Sequence, residues 1–538
     1  PSERIGVSLT LSSEVVAMIR SRTRRRQPRP VDAIQKPSGT FHPRVQKVGP
    51  QHFGIVSVDC AKARSKWMLA DFFGNILLPP TVVEHNRTAL DDAINQLRQA
   101  IRQHDLRDQL VAVERTGRYH QPVRRAFAAA GFETRIVHPF ATSRLRQPRD
   151  PGNKTDDTDL VAIHTAAVNG FALVERDRDE QWTTFQLLIR HRRELVRKTV
   201  VLRVQIREHL DAALPGFAAC FSDLWECDCA MFLARRFPSA QAIQQAGLHG
   251  LCQCLDDASI RYQRRSLLPV LDWANHAANP DRAADTRRRF ALALDDDRQQ
   301  KTREIQAIER DIAAALTRTP YVLLLSFPGV NVVSAADFAA EAGPIEHYAN
   351  AKAINGRAGL QPSRYQSDQV DKANGPLVRC CNRRLRAAIL RIADNLVKCN
   401  HHFNTLLHLW KLQGKDPRHS RVKVAVRFCR IAYQIVAGRQ VFHHPGLQGR
   451  HYILAKLTAF HRDHDSSAAE QLRDLQAAVE QVPPSARPAE AQPLHEELER
   501  IQRGGRRGPQ LLADILPIVL ARLGVGGVQS ELREGDLT

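Results

Sequence analysis

The chain has 538 residues, 78 of them Lys or Arg against 57 Asp or Glu, giving a formal net charge of +21 and a pI near 10.0. That length leaves room for about three or four domains, and no apolar run approaches the roughly 20 residues needed to cross a bilayer, so no membrane is expected as a partner. The cationic excess suits a polyanion with a phosphate backbone and carries no sequence preference of its own.

Residues 1–50 hold ten Lys or Arg and three acids, with Arg24-Arg25-Arg26 and several prolines, and read as a flexible basic arm. The run Phe53 to Asp59 is apolar and β-branched, which predicts a strand buried on both faces with Asp59 at its end. Trp67 to Phe73 predicts a second strand, Gly74-Asn75 a turn, and Ile76 to Leu78 the return of an antiparallel meander. Leu90, Ile94, Leu97 and Ile101 are spaced for a helix over 86–104. Leu110 to Glu114 predicts a fourth strand closed by a second acid, and Gly117 breaks the pattern after it. A helix from Tyr119 to Ala130 stops at Gly131, before a fifth strand from Thr134 to Val137. The order βββαβαβα predicts an α/β mixed-sheet domain over 51–175.

Carboxylates at the ends of neighbouring strands converge in such a sheet, and Asp156 and Asp159 stand one helical turn apart on the helix that follows. Crowded carboxylates repel one another, and a hard cation with oxygen ligands, Mg²⁺ or Mn²⁺, relieves the repulsion. Two such ions about 3.5–4 Å apart hold the attacking and leaving oxygens of a phosphoryl transfer in line. The alternative for each acid singly is a helix cap or an ion pair with a nearby base.

Over 176–318 the pattern is helical: Leu188, Leu195 and Leu202 recur every seven residues, and Ile305, Ile308, Ile312 and Ala315 every three or four. These predict coiled-coil or bundle helices, interrupted at Pro215-Gly216 and Pro280, with an added helical piece over 217–290. Cys227-Asp228-Cys229 and Cys252-Gln253-Cys254 offer four thiolates. A single residue between the cysteines of each pair is unusual for zinc, so buried free thiols are the competing reading. Scattered cysteines without a secretory segment fit a reducing cytoplasm.

From 319 to 440 the chain carries Leu324 to Val330, where a Pro-Gly turn between helical patterns suggests a helix-hairpin-helix-like element presenting backbone amides to phosphate at Gly329. Gly356 to Pro362, Tyr365-Gln366-Ser367 and Asn382 to Arg386 follow. Beyond 440, a C-terminal helical extension over 441–538 is read from Ala468 to Val482, Leu494 to Ile501 and Leu511 to Leu523, with a Pro/Ala linker from Pro483 to Pro493. His461, Asp463 and His464 offer a metal trio by residue type, but such polar clusters are mostly solvated, so this one is expected to be exposed and no chemistry is assigned to it.

Val58-Asp59 with Lys62, Val113-Glu114 with Thr116-Gly117, and Lys154 to Asp159 resemble the DEDD transposases of insertion-sequence family one-ten, whose first domain is similar to the RNase H-like junction resolvase RuvC. The later segments are similar, in the same order, to the mainly α-helical transposase domain of that family. The resemblance implies that Asp59, Glu114, Asp156 and Asp159 bind the metal ions, that the helices of 176–318 form a dimerisation region, the alternative being helices packed on their own domain, that Ser367 is a nucleophile taking a DNA phosphate into a covalent ester, and that acids and serine meet across a dimer. It implies nucleic-acid contacts at Lys62, Lys154, Gly329, Arg383, Arg384 and Arg386, since Arg grips phosphate bidentately. Four departures stand out: the extra acid Asp157, Leu160 at a commonly small position, and Asp368 and Cys381 where glycines are usual. The function so implied is a DNA transposase or recombinase of an insertion sequence, cutting and rejoining donor and target DNA, directed by a noncoding bridge RNA. It would act as a dimer or tetramer in the bacterial cytoplasm on the nucleoid. A junction-resolving endonuclease using water, and a non-catalytic nucleic-acid-binding derivative, are the alternatives.

Overall fold

The computed structural model describes residues 37–146, 152–175, 179–367, 370–372, 375–442 and 453–483, and the chain divides into two units between residues 177 and 178. In the first unit, α1 (His42–Val48) leads into β1 (Phe53–Cys60), β2 (Arg64–Asp71) and β3 (Ile76–Glu84). Then come α2 (Arg87–Gln103), β4 (Asp108–Glu114), α3 (His120–Ala129), β5 (Thr134–Val137), α4 (Pro139–Arg146), α5 (Asp156–Val168) and β6 (Ala172–Leu173). The sheet order is β3-β2-β1-β4-β5-β6, with β1, β4 and β5 parallel and the remaining pairs antiparallel. This is the expected RNase H-like mixed sheet, with α4 and the short edge strand β6 added to the predicted order.

Both faces of β1 are covered, which is why its sequence reads as a continuous apolar run. Val56 and Val58 turn to one side with Val111 and Val113 of β4, and pack on Ile94 and Leu97 of α2 and on Val123 and Phe127 of α3. Phe53 and Ile55 turn to the other side with Leu110 and Ala112, against Ile163, Ala166 and Ala167 of α5. On that side Phe41 stacks on Phe53 with ring centroids 5.1 Å apart, and Val45 of α1 is buried. The basic arm expected over 1–50 is therefore too long as read: its last turns fold onto the sheet, because two apolar side chains find a face to cover. Residues 1–36, including Arg24-Arg25-Arg26, lie outside the described residues.

The second unit is helical apart from one small hairpin. α6 (Glu180–Ala213) and α10 (Ala284–Thr317), 34 residues each, pack along one another. Phe185 and Leu195 share a core with Ile312 and Leu316 at one end, while Ile206 and Leu210 share another with Ala291 at the far end, so the two helices run antiparallel. At that far end α7 (Asp228–Arg236), α8 (Ala240–Asp257) and α9 (Leu268–His276) close a second core around Phe217, Leu251 and Val270. Of the heptad leucines, Leu195 is buried while Leu188 and Leu202 are half-buried.

The first end continues through a 3-10 turn (Pro320–Ser326), α11 (Val332–Ala342), α12 (Ala351–Ala358), the hairpin β7 (Tyr365–Ser367) with β8 (Val370–Lys372), α13 (Arg383–Cys399), α14 (His401–Leu412) and α15 (Pro417–Ala437). α16 (Ile453–Asp463) and α17 (Ala468–Gln481) insert Leu457, Phe460 and Leu475 into the core that holds Phe327 and Phe428. Part of the expected C-terminal extension thus completes this core rather than standing outside it. The cluster expected to be exposed is corrected by the same packing. His461 is fully buried, sharing a 2.9 Å hydrogen bond with Ser466 and lying 3.4 Å from the Asp474 carboxylate. His464 meets Glu309 at 2.5 Å, leaving Asp463 on the surface. The helices read at Leu494–Ile501 and Leu511–Leu523 lie outside the described residues, as does most of the Pro/Ala linker. No described helix is long and apolar enough to cross a membrane.

Candidate catalytic site

Alternation along the strands decides which way the first two acids point. Asp59 shares the parity of Phe53 and Ile55, and Glu114 that of Leu110 and Ala112, so both face the α5 side of the sheet. The parallel register pairs Val58 with Val113, which sets Asp59 level with Glu114 at the carboxyl ends of β1 and β4.

The third and fourth acids are delivered by a helix start. The Thr155 hydroxyl accepts from the Thr158 amide at 3.2 Å, and the Thr158 hydroxyl accepts from the Thr155 amide at 3.0 Å, a reciprocal cap that fixes Asp156 as the first residue of α5. Asp156, Asp157 and Asp159 thereby occupy the first turn, where the positive end of the helix favours acids. Asp159 is buried and paired with Arg146, the last residue of α4, whereas Asp156 is exposed. The extra acid Asp157 is taken up by Lys66 at 2.7 Å.

The four acids act on one another. Burial first, then the charges of Asp159 and Asp156, push the Asp59 carboxyl above its ordinary range, with Lys154 pulling it back. Burial lifts Glu114 to about 7, opposed by the Thr142 hydroxyl and reinforced by the charges of Asp59 and Asp159. A hydrogen bond between the two carboxyls pulls Asp59 down and pushes Glu114 further up. Among the described residues no three His, Cys, Asp or Glu side chains stand close enough to share a metal ion as they are. The donor set nevertheless fits a hard divalent cation: it is all oxygen, it is crowded, and its charge is offset by Arg146 and Lys66.

Lys62 lies exposed in the turn between β1 and β2, and Lys154 lies exposed just before the α5 cap. Lys66, Thr142 and Arg146 were not foreseen. The β1–β2 register sets Lys66 opposite Asp59, so counting back across the hairpin would have found it; Thr142 and Arg146 sit on α4, a short helix that no apolar periodicity announces.

In the second unit Ser367 is the last residue of β7, exposed and paired with Val370 across the hairpin; Asp368 lies outside the described residues. Arg386 was expected to contact phosphate, but its guanidinium is committed to the end of α12 and to the loop that follows the hairpin. It donates to the carbonyls of Ala358 at 2.8 Å, Gly359 at 3.1 Å and Val378, and to the Cys381 sulfur at 2.7 Å. Cys381, at a position where glycine is usual, is thus an acceptor for that staple. Arg383 and Arg384 are exposed at the start of α13, whose cap Asn382 accepts from the amides of Arg384 at 3.1 Å and Leu385 at 3.0 Å. Asn382 in turn donates to buried Glu341 at 3.3 Å.

The Pro-Gly turn is held rigid through its carbonyls. Gly329, at φ +94°, accepts from Asn395 at 2.6 Å, and the Lys456 ammonium donates to Leu325 at 2.7 Å, Phe327 at 3.0 Å and Val330 at 2.7 Å. The cysteine pairs do not assemble into one four-thiolate site. The sulfurs of Cys227 and Cys229 are 3.1 Å apart, and Cys254 donates to the Leu251 carbonyl at 3.2 Å.

Two family models match the chain. The DEDD type described as "Transposase" matches residues 56–215, which contain all four acids, and "Transposase IS116/IS110/IS902 family" matches residues 321–408, which contain Gly329, Ser367 and Arg383 to Arg386. No curated protein matches.

Proposed function

We propose that this chain, an insertion-sequence transposase by its two matched domains, cuts and rejoins donor and target DNA using a divalent-cation site of Asp59, Glu114, Asp156 and Asp159 together with Ser367 as nucleophile. One observation carries the acid half of this reading. Two strand ends and one capped helix start direct all four acids to the same side of the sheet, where burial and mutual repulsion have already raised two of them. Mg²⁺ or Mn²⁺, two ions in this reading, would be held by those carboxylates and would supply charge neutralisation at the scissile phosphate.

The chain's own groups supply the remainder. The Ser367 oxygen attacks phosphorus, the bond from phosphorus to the leaving sugar oxygen breaks, the serine proton departs to a neighbouring base or water, and the leaving oxygen gains a proton. The serine ester conserves the phosphoester bond, so a second sugar hydroxyl rejoins the strand by the reverse attack without an external energy source. Lys62, Lys154, Arg383 and Arg384 are exposed cations suited to phosphate oxygens, and the rigid Gly329 turn offers a fixed backbone edge. Exposed Val196, Val200 and Val204 recur every four residues along α6, an apolar stripe that supports a homo-oligomer of even number. A noncoding bridge RNA as guide is supported by the large cationic excess, since base pairing then reads sequence while the protein reads backbone. Ten free cysteines suit the reducing cytoplasm.

The test uses the full chain, DNA carrying the ends of its own element, and Mg²⁺. Asp59→Asn and Asp159→Asn should each abolish strand cutting, and Ser367→Ala should abolish cutting together with joining. Cutting that survives in Ser367→Ala would replace the serine with water and make the protein a resolving endonuclease.

A further inference from the structure

One base reaches into the acidic site. Arg146, the last residue of α4, is largely buried and pairs through Nη1 with Oδ1 of buried Asp159. Among the described residues it is the only base in an ion pair with Asp59, Glu114, Asp156 or Asp159, since Lys66 is on Asp157. The pair is half a fork. Arg44 closes a full fork on Asp108, through Nε at 2.9 Å and Nη2 at 2.6 Å, whereas Arg146 commits one nitrogen to one oxygen. No other hydrogen bond to a described residue takes up the rest of its guanidinium, so planar, bidentate recognition of a second anion is open to it.

That arrangement sets two demands against each other. A carboxylate that neutralises a guanidinium is a poorer ligand for a divalent cation, because the two positive groups repel across it and the doubly charged ion is repelled twice as strongly. Arg146 cannot simply let go: a largely buried guanidinium stripped of its counter-ion is among the costliest groups to strand. A phosphate removes the conflict. Its oxygens match the planar fork of an arginine, and a phosphodiester is what the matched domains act on.

We propose that Arg146 couples DNA binding to cation binding: it holds Asp159 in the free protein and passes to a DNA phosphate when that carboxylate takes up a divalent cation. The inference rests on the four acids holding the cation, as read above. Its consequence is that DNA and cation each tighten the other by the same factor. Arg146 then keeps the acid site closed to stray cations until a phosphodiester is present.

The probe is Mn²⁺ alone, titrated into the full chain and followed by the paramagnetic resonance of the free ion, with and without a random-sequence DNA duplex whose own uptake of Mn²⁺ is subtracted. In the parent the duplex should tighten Mn²⁺ by about 5- to 50-fold, an ordinary size for coupling between two sites. Arg146→Gln should bind Mn²⁺ tighter than the parent by a similar factor without DNA, and the duplex should then add much less. Arg146→Lys keeps the charge and should stay with the parent. The slope of log DNA affinity against log salt should fall by about 0.9, one phosphate contact, in Arg146→Gln with Mn²⁺ present, and should not change in EDTA. Mn²⁺ bound no more tightly by Arg146→Gln than by the parent would overturn the proposal, as would a duplex that leaves the parent's Mn²⁺ affinity unchanged. Asp159→Asn tells the two readings apart. It should weaken Mn²⁺ binding; if it does not, the acid site itself fails, whereas weakening there beside an unaltered Arg146→Gln refutes the coupling alone.

Discussion

Replacing Glu114 by Gln should stabilise the metal-free protein at alkaline pH. The Glu114 carboxyl rises from 4.5 to about 7 on folding, chiefly through burial, so the folded state prefers it protonated. A group raised in this way contributes stability that is complete below pH 4.5 and is lost as pH climbs through about 7. A shift of that size corresponds to about 3 kcal/mol, and solvent screening at this half-exposed position reduces it to about 1–2 kcal/mol. Gln imitates the protonated acid: it is neutral at every pH, and its amide still donates toward Asp59. In EDTA at pH 8 the peptides covering β1 and β4 should therefore exchange amide hydrogens about 5–30 times more slowly in Glu114→Gln than in the parent. At pH 5 the difference should nearly vanish. Added Mg²⁺ should slow exchange in the parent more than in the variant, because the fourth carboxylate is missing from the latter. Faster exchange in the variant at pH 8, or a difference that ignores pH, would show that burial and like charge at this site are not what raises Glu114.

Gly359→Ala should cost more than about 2 kcal/mol, since φ is +61° and a Cβ there would lie 2.3 Å from Arg386 Nη2 and 2.8 Å from Cys381 Cβ; thermal unfolding measures it. Arg386→Ala should lower the unfolding temperature with little change in the salt slope of DNA binding, whereas Arg384→Ala should do the opposite, and reversed outcomes would return Arg386 to the phosphate. Lys456→Met should destabilise by about 2–4 kcal/mol, because three carbonyls of the Pro-Gly turn lose a charged donor together; hydrogen exchange over residues 325–330 reports it.

The placement of the four acids in the first unit was legible because its signals are local. Two apolar runs ending in Asp59 and Glu114, and two acids three residues apart after a Thr cap, specify strand ends and a helix start without knowledge of the rest of the fold. What escaped depends on distant packing. The short α1 becomes a helix only because Phe41 finds Phe53, and β6 is a two-residue strand completed by β5. Arg386 reads as a surface cation until the Val378 to Cys381 loop folds back on it. His461 reads as solvated until α17 brings Asp474 alongside. The tail helices likewise declare their place only through Leu457 and Leu475, whose partners are more than a hundred residues away, at Phe327 and its neighbours.

The most direct measurement is to denature the full chain during reaction with its own element ends in Mg²⁺, digest it with trypsin, and locate any nucleotide left on the protein. A phosphoester on Ser367, in the peptide that begins at Tyr365, is expected in the parent and is expected to be missing when Asp59 is Asn. A nucleotide on any other residue, or DNA cut with no peptide carrying one, would contradict it.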